Sequence, residues 1–223
     1  APEPGLDLQV HRDGAIGGIA WEGPFVLGHE MGGTIASGPR AGMRVAIDPA
    51  DTCERCEMCV AGHTNLCAST RFTGTPGAAG ALAELMAWPS RLLVPVPDAM
   101  PDEHVPLLES LGIAIHSVNL GHVWPGARVG VYGAGPVGLL LVAMLRARGV
   151  GRIVVTEPLA HRRAAALAMG ADVALDIDPD GRCAAALAEP VDIAFEAAGE
   201  EPAIATACAA VRPGGRVVLV GIP

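Results

Sequence analysis

The chain has 223 residues, about half of them hydrophobic, and a formal net charge of −9. This length is enough for one large domain or two modest ones with a sizeable core. The negative charge and the lack of a basic tract argue against nucleic acid or an acidic membrane as a partner. The longest apolar run, 137–145, is too short to span a bilayer, and the first residues lack the features of a signal peptide. We therefore expect a cytoplasmic protein with neither a nucleic-acid nor a membrane partner.

Both ends of the sequence are abrupt. It begins without Met in a polar, loop-like stretch, and it ends three residues after the apolar run 217–220. We therefore expect this chain to be a fragment, incomplete at both ends.

Short strands separated by turns are predicted over the first hundred residues. Runs of apolar or alternating residues occur at 34–36, 43–47, 81–87 and 92–97. Gly, Pro, Ser and Asp separate these runs, a pattern typical of small all-β domains.

Four cysteines lie close together in this β region, at Cys53, Cys56, Cys59 and Cys67. Four thiolates at these intervals can close a tetrahedral zinc site on one loop. Such a site leaves no position for water, so the zinc would be structural. The alternative is four unrelated thiols or two disulfides, which clustering in a chain without a secretion signal disfavours.

Three further residues are candidate ligands for a catalytic metal. His29 and Glu30 end an apolar run and offer an imidazole beside a carboxylate. Glu109 lies in the apolar segment 107–111, where a carboxylate is costly unless it is paired or bound to a metal. Taken alone, each of them could equally be a surface or capping residue.

Strands and helices alternate in the second half of the chain. Asp102 is a candidate cap for a helix starting near Glu103. Strands are predicted at 128–133, 152–157, 173–176, 191–196 and 216–221, and helices at 136–148, 159–169 and 202–211. Residues 213–215, Pro-Gly-Gly, are expected to turn the chain into the last strand. This alternation predicts a parallel, doubly wound sheet, with five of the six strands of a full dinucleotide fold.

A glycine-rich turn between the first strand and helix of this sheet reads Gly133-Ala134-Gly135-Pro136-Val137-Gly138. Gly133 permits the turn, Gly135 lets a pyrophosphate approach the backbone, and Gly138 lets the helix pack close to the strand. Pro136 suits the first helical position, and the N–H groups that open the helix, from Val137 on, face the phosphates. These residues predict a dinucleotide site.

The end of the second strand indicates which dinucleotide is bound. Glu157 follows Gly138 by nineteen residues, where an acidic side chain accepts hydrogen bonds from the adenosine ribose 2′-OH. A carboxylate there repels a 2′-phosphate, so NAD is expected rather than NADP. Arg162 and Arg163 complicate this preference, because they could bracket the adenine or attract a phosphate. A glycine turn that serves packing alone is the alternative, which the surrounding strand, helix and acid disfavour.

Taken in order, Gly28-His29-Glu30, the four cysteines, Leu108-Glu109-Ser110-Leu111 and the glycine turn resemble the zinc-dependent medium-chain alcohol dehydrogenase family. A glutamate at 109, rather than a cysteine, resembles the polyol branch, which includes sorbitol, xylitol, idonate and threonine dehydrogenases. The resemblance covers residues 5–223. It implies a GroES-like all-β domain over 1–104 carrying both zincs, a Rossmann domain over 105–223, and a cleft between them.

The resemblance also implies a reaction and its participants. A catalytic zinc would be held by His29, with Glu30 as a ligand or its partner and Glu109 as a ligand or the holder of a water. That zinc would act as a Lewis acid while hydride passes between a secondary alcohol or polyol and NAD. The full-length form is expected to be a homo-oligomer.

Some positions depart from the family pattern. Pro4 stands where the family has a zinc-binding Cys, Leu6 where it has the Ser or Thr that relays the proton, and Glu54 where Gly is usual. The first two changes predict impaired catalysis. They favour an alternative, a zinc- and dinucleotide-binding protein without dehydrogenase activity. A reductase of activated alkenes is a further alternative, but that branch lacks both zincs, so the cysteines argue against it.

Overall fold

The computed structural model describes residues 10–11, 14–16, 19–20 and 25–222. The strands are Ala15–Ile16 (β1), Ile19–Ala20 (β2), Gly32–Thr34 (β3), Arg44–Ile47 (β4), Ala50–Asp51 (β5), Arg71–Phe72 (β6), Leu93–Pro95 (β7), Arg128–Tyr132 (β8), Arg152–Thr156 (β9), Val173–Leu175 (β10), Val191–Glu196 (β11) and Val211–Leu219 (β12). The α-helices are Glu57–Val60 (α1), Leu107–Leu120 (α2), Pro136–Ala147 (α3), Ala160–Ala168 (α4) and Glu201–Ala210 (α5). The chain forms two compact units, one ending at Glu109 and the other continuing from Ser110, so the division falls within α2.

The first unit is built from short antiparallel strands. β3, β4 and β7 form a three-stranded sheet in that order, and β5 pairs with β6. The strands predicted at 43–47 and 92–97 are confirmed as β4 and β7.

The strand predicted at 81–87 is wrong. Ala81 and Leu82 donate backbone hydrogen bonds to Gly28 and Leu27, but the segment forms no strand. Leu82 and Leu85 are 72% and 79% exposed. The alternating apolar residues therefore do not mark a buried face. Because strand preference depends on packing against neighbouring strands, the pattern alone does not produce a strand here.

The helix predicted to start near Glu103 starts at Leu107 instead. Residues Asp102–His104 form a single 3₁₀ turn, and Pro106, which lacks an N–H, is tolerated only in the first turn of a helix. Asp102 does not cap the helix. Its carboxylate accepts a hydrogen bond from Arg44 Nε at 3.0 Å. The Asp102 side chain therefore bonds to strand β4 instead of capping the helix.

The second unit contains a five-stranded sheet in the order β10-β9-β8-β11-β12, in which every pair is parallel. This confirms the predicted doubly wound sheet. The expected turn at 213–215 is wrong, because β12 runs through it. Val211 pairs with Val191 and Arg216 with Ile193, so β12 has more residues than β11 between these two pairs. The Pro-Gly-Gly segment lies in this bulge-like irregularity of the strand.

Apolar side chains of the central strands fill the core of the second unit. Fully buried members include Val129, Val131, Ile153, Val155 and Phe195. Leu141 and Leu145 of α3 pack in the same cluster. Each such side chain contributes about 1.5–3 kcal/mol by leaving water. This packing fixes β8, β9 and β11 side by side, so the segments that follow them share one edge of the sheet.

No helix within the described residues has the length and apolar character needed to cross a membrane.

Candidate metal and dinucleotide sites

The structure brings the four cysteines of the 53–67 loop into one cluster, with sulfur atoms that all lie within 4.8 Å of one another. The Cys53 and Cys59 sulfurs are 4.0 Å apart. Zn–S bonds of about 2.3 Å in a tetrahedron require sulfurs roughly 3.8 Å apart, so a small contraction would close the site. All four cysteines are free thiols, which fits a metal site and not the disulfide alternative.

Backbone amides favour ionised sulfur in this cluster. The N–H of Cys53 lies 3.5 Å from the Cys67 sulfur and lowers the pKa of that thiol to about 6. The backbone N–H of Arg55 lowers the pKa of Cys53. Burial raises the pKa of Cys59 to about 11. Adjacent thiols become thiolates together only when a cation balances their charge.

Charged side chains hold the start of the cysteine loop. Arg91 pairs with Glu54 at 2.7 Å and with Asp51, and Asp51 also pairs with Arg71. Glu54 has φ +58°, in the left-handed region that favours glycine. This conformation explains why glycine suits this position. Here a glutamate adopts it, and its side chain is held by Arg91.

The second cluster contains His29, Glu30 and Glu109, which offer three ligand atoms within 4.8 Å of one another. Glu109 lies in the first turn of α2, and His29 stacks at a tilt on Phe72 with ring centroids 5.6 Å apart. Gly28 precedes the histidine with φ +106°, and a Cβ there would lie 3.0 Å from the backbone nitrogen of Leu82. The positive φ and this close approach therefore favour glycine immediately before His29.

This second cluster fits a divalent cation by its chemistry. One imidazole nitrogen and two carboxylate oxygens form a donor set that zinc accepts when a fourth position remains for water or substrate. His29 and Glu109 are partly buried, and Glu30 is exposed. Pro4 and Leu6 lie outside the described residues.

The glycine turn is open where a phosphate would approach and closed elsewhere. A Cβ on Gly138 would lie 2.1 Å from the carbonyl oxygen of Gly133, and one on Gly133 would lie 2.8 Å from the Ala198 nitrogen. On Gly135, by contrast, the nearest atom would be Arg162 Nη1, 4.0 Å away. Pro136 opens α3, and Gly135, its N-cap residue, makes no side-chain capping bond. The first N–H groups of α3 can therefore bind an anion.

Glu157 immediately follows β9, and its side chain links two segments of the candidate site. It is 3% exposed, and its two carboxylate oxygens accept hydrogen bonds from the backbone N–H groups of Ala134 and Leu159, both at 2.9 Å. The carboxylate thus ties the glycine turn to the start of α4. Each carboxylate oxygen has a second acceptor site, so an additional bond from a ribose hydroxyl remains chemically open.

The structure separates the roles of the two arginines. Arg163 donates to the Glu157 carbonyl oxygen at 2.7 Å and pairs with Asp176 at 3.0 Å. Arg162 instead lines a cavity of about 250 Å³, and its Nη1 is 3.9 Å from the Glu157 carboxylate. Arg162 is therefore the arginine positioned to meet a ligand beside the glycine turn.

Sequence reasoning missed the segment that follows β11. Ala198 and Glu200 line the same cavity, and the backbone of 197–198 packs against Gly133. The available signal was topological. In a parallel sheet of this order, the strand beside the first one ends at the same edge, so the residues after it share the site.

Two family models match most of the chain. Residues 5–98 match the alcohol dehydrogenase GroES-like domain, and residues 136–223 match the zinc-binding dehydrogenase model. The chain belongs to the zinc-dependent medium-chain alcohol dehydrogenase family. Its β unit and its Rossmann-like sheet are the two domains of that family.

Individual relatives point to the polyol branch. Sorbitol dehydrogenase of Bacillus subtilis (strain 168) is 37% identical over 98% of this chain and 65% of its own length. The solved structure of L-idonate 5-dehydrogenase from Escherichia coli K-12 is 28% identical, with a TM-score of 0.90 over 99% of this chain and 66% of that one. The present chain thus spans about 65% of the length of the Bacillus subtilis sorbitol dehydrogenase.

Related structures have been solved with either nicotinamide cofactor. A zinc-binding dehydrogenase from Sinorhizobium meliloti 1021 bound to NADP is 28% identical, with a TM-score of 0.80 over 89% of this chain and 61% of its own. An alcohol dehydrogenase from E. coli CFT073 complexed with NADH is 30% identical, with a TM-score of 0.80 over 88% of this chain and 60% of its own. Zinc and a nicotinamide dinucleotide are therefore the cofactors of this fold.

Proposed function

We propose that this chain is the zinc- and NAD-binding part of a dehydrogenase that acts on a secondary alcohol or polyol. The observation that carries the proposal is the second cluster, in which His29, Glu30 and Glu109 gather three ligand atoms within 4.8 Å. An N/O donor set of three leaves room for a substrate oxygen, whereas the four-cysteine cluster leaves none. The similarity to a sorbitol dehydrogenase and an idonate dehydrogenase supports a polyol as the substrate class.

The residues of the second cluster would hold the catalytic zinc. When bound there, zinc would polarise the substrate oxygen and lower the pKa of the alcohol. His29 contributes a neutral donor, and the carboxylates of Glu30 and Glu109 offset the charge of the cation.

The glycine turn would hold the pyrophosphate of the dinucleotide, and its nicotinamide would accept the hydride. Gly135 leaves the backbone accessible, while Gly133 and Gly138 close the turn against 197–198 and the helix. Glu157 would accept a bond from the ribose 2′-OH and repel a 2′-phosphate, which favours NAD. Arg162, which lines the same cavity, would face the adenosine end.

The cofactor preference is tested by measuring dissociation constants for NAD and NADP with the wild-type chain and Glu157→Ser. NAD should bind more tightly to the wild type, and the substitution should reduce the preference. Both affinities should also fall, because the Glu157 carboxylate holds Ala134 and Leu159. Tighter binding of NADP by the wild-type chain would show that Arg162, and not Glu157, decides the preference.

The activity is tested by oxidation of a panel of polyols with NAD, together with zinc content, for the wild type, His29→Ala and Glu109→Gln. Two zincs per chain, turnover of at least one polyol, and loss of one zinc and of turnover in both variants are expected. Glu103→Gln is the control, because Glu103 is exposed and lies outside the cluster. One zinc per chain with NAD binding but no turnover would instead favour a non-catalytic binding protein, the function to which Pro4 and Leu6 point.

For the full-length protein we also propose a homo-oligomer. β12 ends the described sheet, and its Leu219 is 60% exposed. An apolar residue on an open strand edge supports further strand pairing or a subunit contact there. The mass of the full-length protein in solution, measured by light scattering, tests this.

A further inference from the structure

A buried carboxylic acid lies beneath the segment that packs on the glycine turn. Glu196 ends β11 and is 0% exposed. Its Oε1 accepts hydrogen bonds from the backbone N–H groups of Ala198 at 2.7 Å and Gly199 at 2.8 Å. Among the described residues nothing hydrogen-bonds to Oε2. One side of this carboxyl is thus well supplied with donors, and the other has none.

The unsupplied oxygen lies against backbone. A Cβ on Gly221 would lie 2.8 Å from Oε2, and the same Cβ would lie 2.2 Å from the Gly199 nitrogen. The glycines at 199 and 221 therefore meet directly over the carboxyl and shield Oε2. An ionised oxygen in such a place lacks both water and a donor, which is costly.

The groups around Glu196 favour its neutral form. Its registered neighbours on the flanking strands are Tyr132 and Leu219. Of the titratable groups that face it, Tyr132 is neutral and Glu200 carries a negative charge. Burial, reinforced by the charge of Glu200, raises the pKa of Glu196 against the backbone N–H groups of Ala198, Gly199 and Glu200, which lower it. Among the elements packed around it in the described chain, no cation compensates.

The segment that Glu196 holds is a wall of the dinucleotide cavity. Ala198 and Glu200 line that cavity. A Cβ on Gly133 would lie 2.8 Å from Ala198 N and 2.9 Å from the carbonyl carbon of Ala197. The backbone of 197–198 therefore packs directly on the glycine turn, so a change in this segment would alter the surface that the turn offers to a pyrophosphate.

We propose that Glu196 is a positioning residue for dinucleotide binding that acts in its protonated form, by holding 197–199 against the glycine turn. The inference rests on the proposed dinucleotide site. Ionisation of Glu196 would draw a donor or water toward Oε2, separate Gly199 from Gly221, and loosen the wall of the cavity. The dinucleotide-bound form therefore binds the Glu196 proton more tightly than the free form does.

The pH dependence of NADH binding tests this proposal. Affinity should be highest below the pKa of Glu196 in the free chain and should fall as the pH rises through its pKa in the complex. Each unit by which those two pKa values differ corresponds to about tenfold in the dissociation constant. We therefore expect NADH to bind the wild type roughly tenfold more weakly at the alkaline end of the titration.

Two variants separate positioning from general stability. Glu196→Gln keeps a neutral side chain with one acceptor oxygen, so its NADH affinity should stay near the low-pH wild-type value at every pH. Glu189→Gln is the matched control, since Glu189 is exposed and pairs with Arg152 near the amino end of β11. This variant should follow the wild-type profile. An unchanged slope in Glu196→Gln, or a flat profile in the wild type, would overturn the proposal.

A direct measurement keeps the test decisive if Glu196→Gln folds poorly. The carbon-13 shift of the Glu196 side-chain carboxyl in labelled wild-type protein reports its protonation, with and without NADH. We expect its pKa to rise when NADH binds. A pKa that is unchanged or lowered by NADH would refute the positioning role while leaving the dinucleotide site intact. Failure to bind NADH at any pH would overturn that site and the inference with it.

Discussion

The two candidate metal clusters of the first unit are assembled in opposite ways. The cysteine cluster comes from one loop, whose ends at 53 and 67 are close in sequence, and all its donors are sulfur. The other cluster joins His29 and Glu30 to Glu109, about eighty residues away, and has only nitrogen and oxygen donors. Spacing alone therefore defines the first cluster, whereas the second exists only because the fold carries α2 to the 28–30 loop. A closed soft site suits a structural ion, and an open hard site suits chemistry.

The largest expected effect is loss of the structural zinc. Cys56→Ser removes one of four thiolates, and structural zinc sites contribute on the order of 10–16 kcal/mol of apparent binding free energy that is coupled to folding. We expect one zinc per chain fewer and a lower melting temperature for the first unit. Elemental analysis and thermal unfolding measure both. Cys208→Ser, at an exposed position on α5, is the control. Equal zinc content in Cys56→Ser and the wild type would contradict a four-cysteine site.

The next effect concerns the chemistry of the second cluster. If Pro4 replaces a zinc thiolate and Leu6 a proton-relay hydroxyl, the Pro4→Cys, Leu6→Ser double variant should oxidise polyols faster. General acid–base assistance is typically worth about 10²–10⁴-fold. The comparison is made in a chain extended with family-like ends, by following NADH formation and zinc content together. Equal rates for the two chains would mean that Pro4 does not occupy the ligand position.

A smaller effect should distinguish the two clusters by the metal ions that each prefers. Thiolates select soft cations such as Cd²⁺, whereas carboxylates and imidazole accept Mn²⁺ and Co²⁺ more readily. Cd²⁺ added to metal-free protein should first give the charge-transfer absorption of a cadmium thiolate. Mn²⁺ should bind without it, as detected by electron paramagnetic resonance. Glu109→Gln should abolish the signal of protein-bound Mn²⁺ and leave the cadmium absorption unchanged. Loss of both signals in that variant would show that the clusters are not independent.

The two units differ in how far the sequence anticipates them. In the second unit, strands such as 128–132 and 191–196 are buried and alternate along the chain with apolar helices. Their apolar sequence therefore reflects the core directly, and their bounds are predicted within one or two residues. The last strand is the exception, because Pro213-Gly214-Gly215 carries a turn signal that the ladder to β11 overrides. In the first unit strands are only two to four residues long, and the apolar alternation at 81–87 reflects no buried face.

The candidate sites show the same contrast. Cysteine spacing and glycine spacing are local signals and could be read directly. That Glu157 braces Ala134 and Leu159, or that Glu196 lies under 197–199, depends on contacts between segments that no spacing encodes. Side chains that act through the backbone of a distant turn are therefore the part of the site that sequence reasoning misses.

Residues with a left-handed backbone also lie beside each cluster, among them Glu54 at the cysteines and Gly28 at the second cluster. The smallest predicted effect comes from exchanging these residue types. A non-glycine residue in this region is strained by roughly 1 kcal/mol, so Glu54→Gly should relieve strain. It also loses the Arg91 pair, but an exposed pair of this kind contributes only about 0–1 kcal/mol.

Glu54→Ala is the matched control, because it loses the same pair and keeps the strain. Glu54→Gly should therefore be about 1 kcal/mol more stable than Glu54→Ala in urea unfolding, with equal zinc content in both. Gly28→Ala should have the opposite sign, because its φ of +106° is unsuited to alanine and a Cβ would lie 3.0 Å from the Leu82 nitrogen. Equal stability of the two Glu54 variants would mean that the bound zinc, and not the residue at 54, sets the backbone of the cysteine loop.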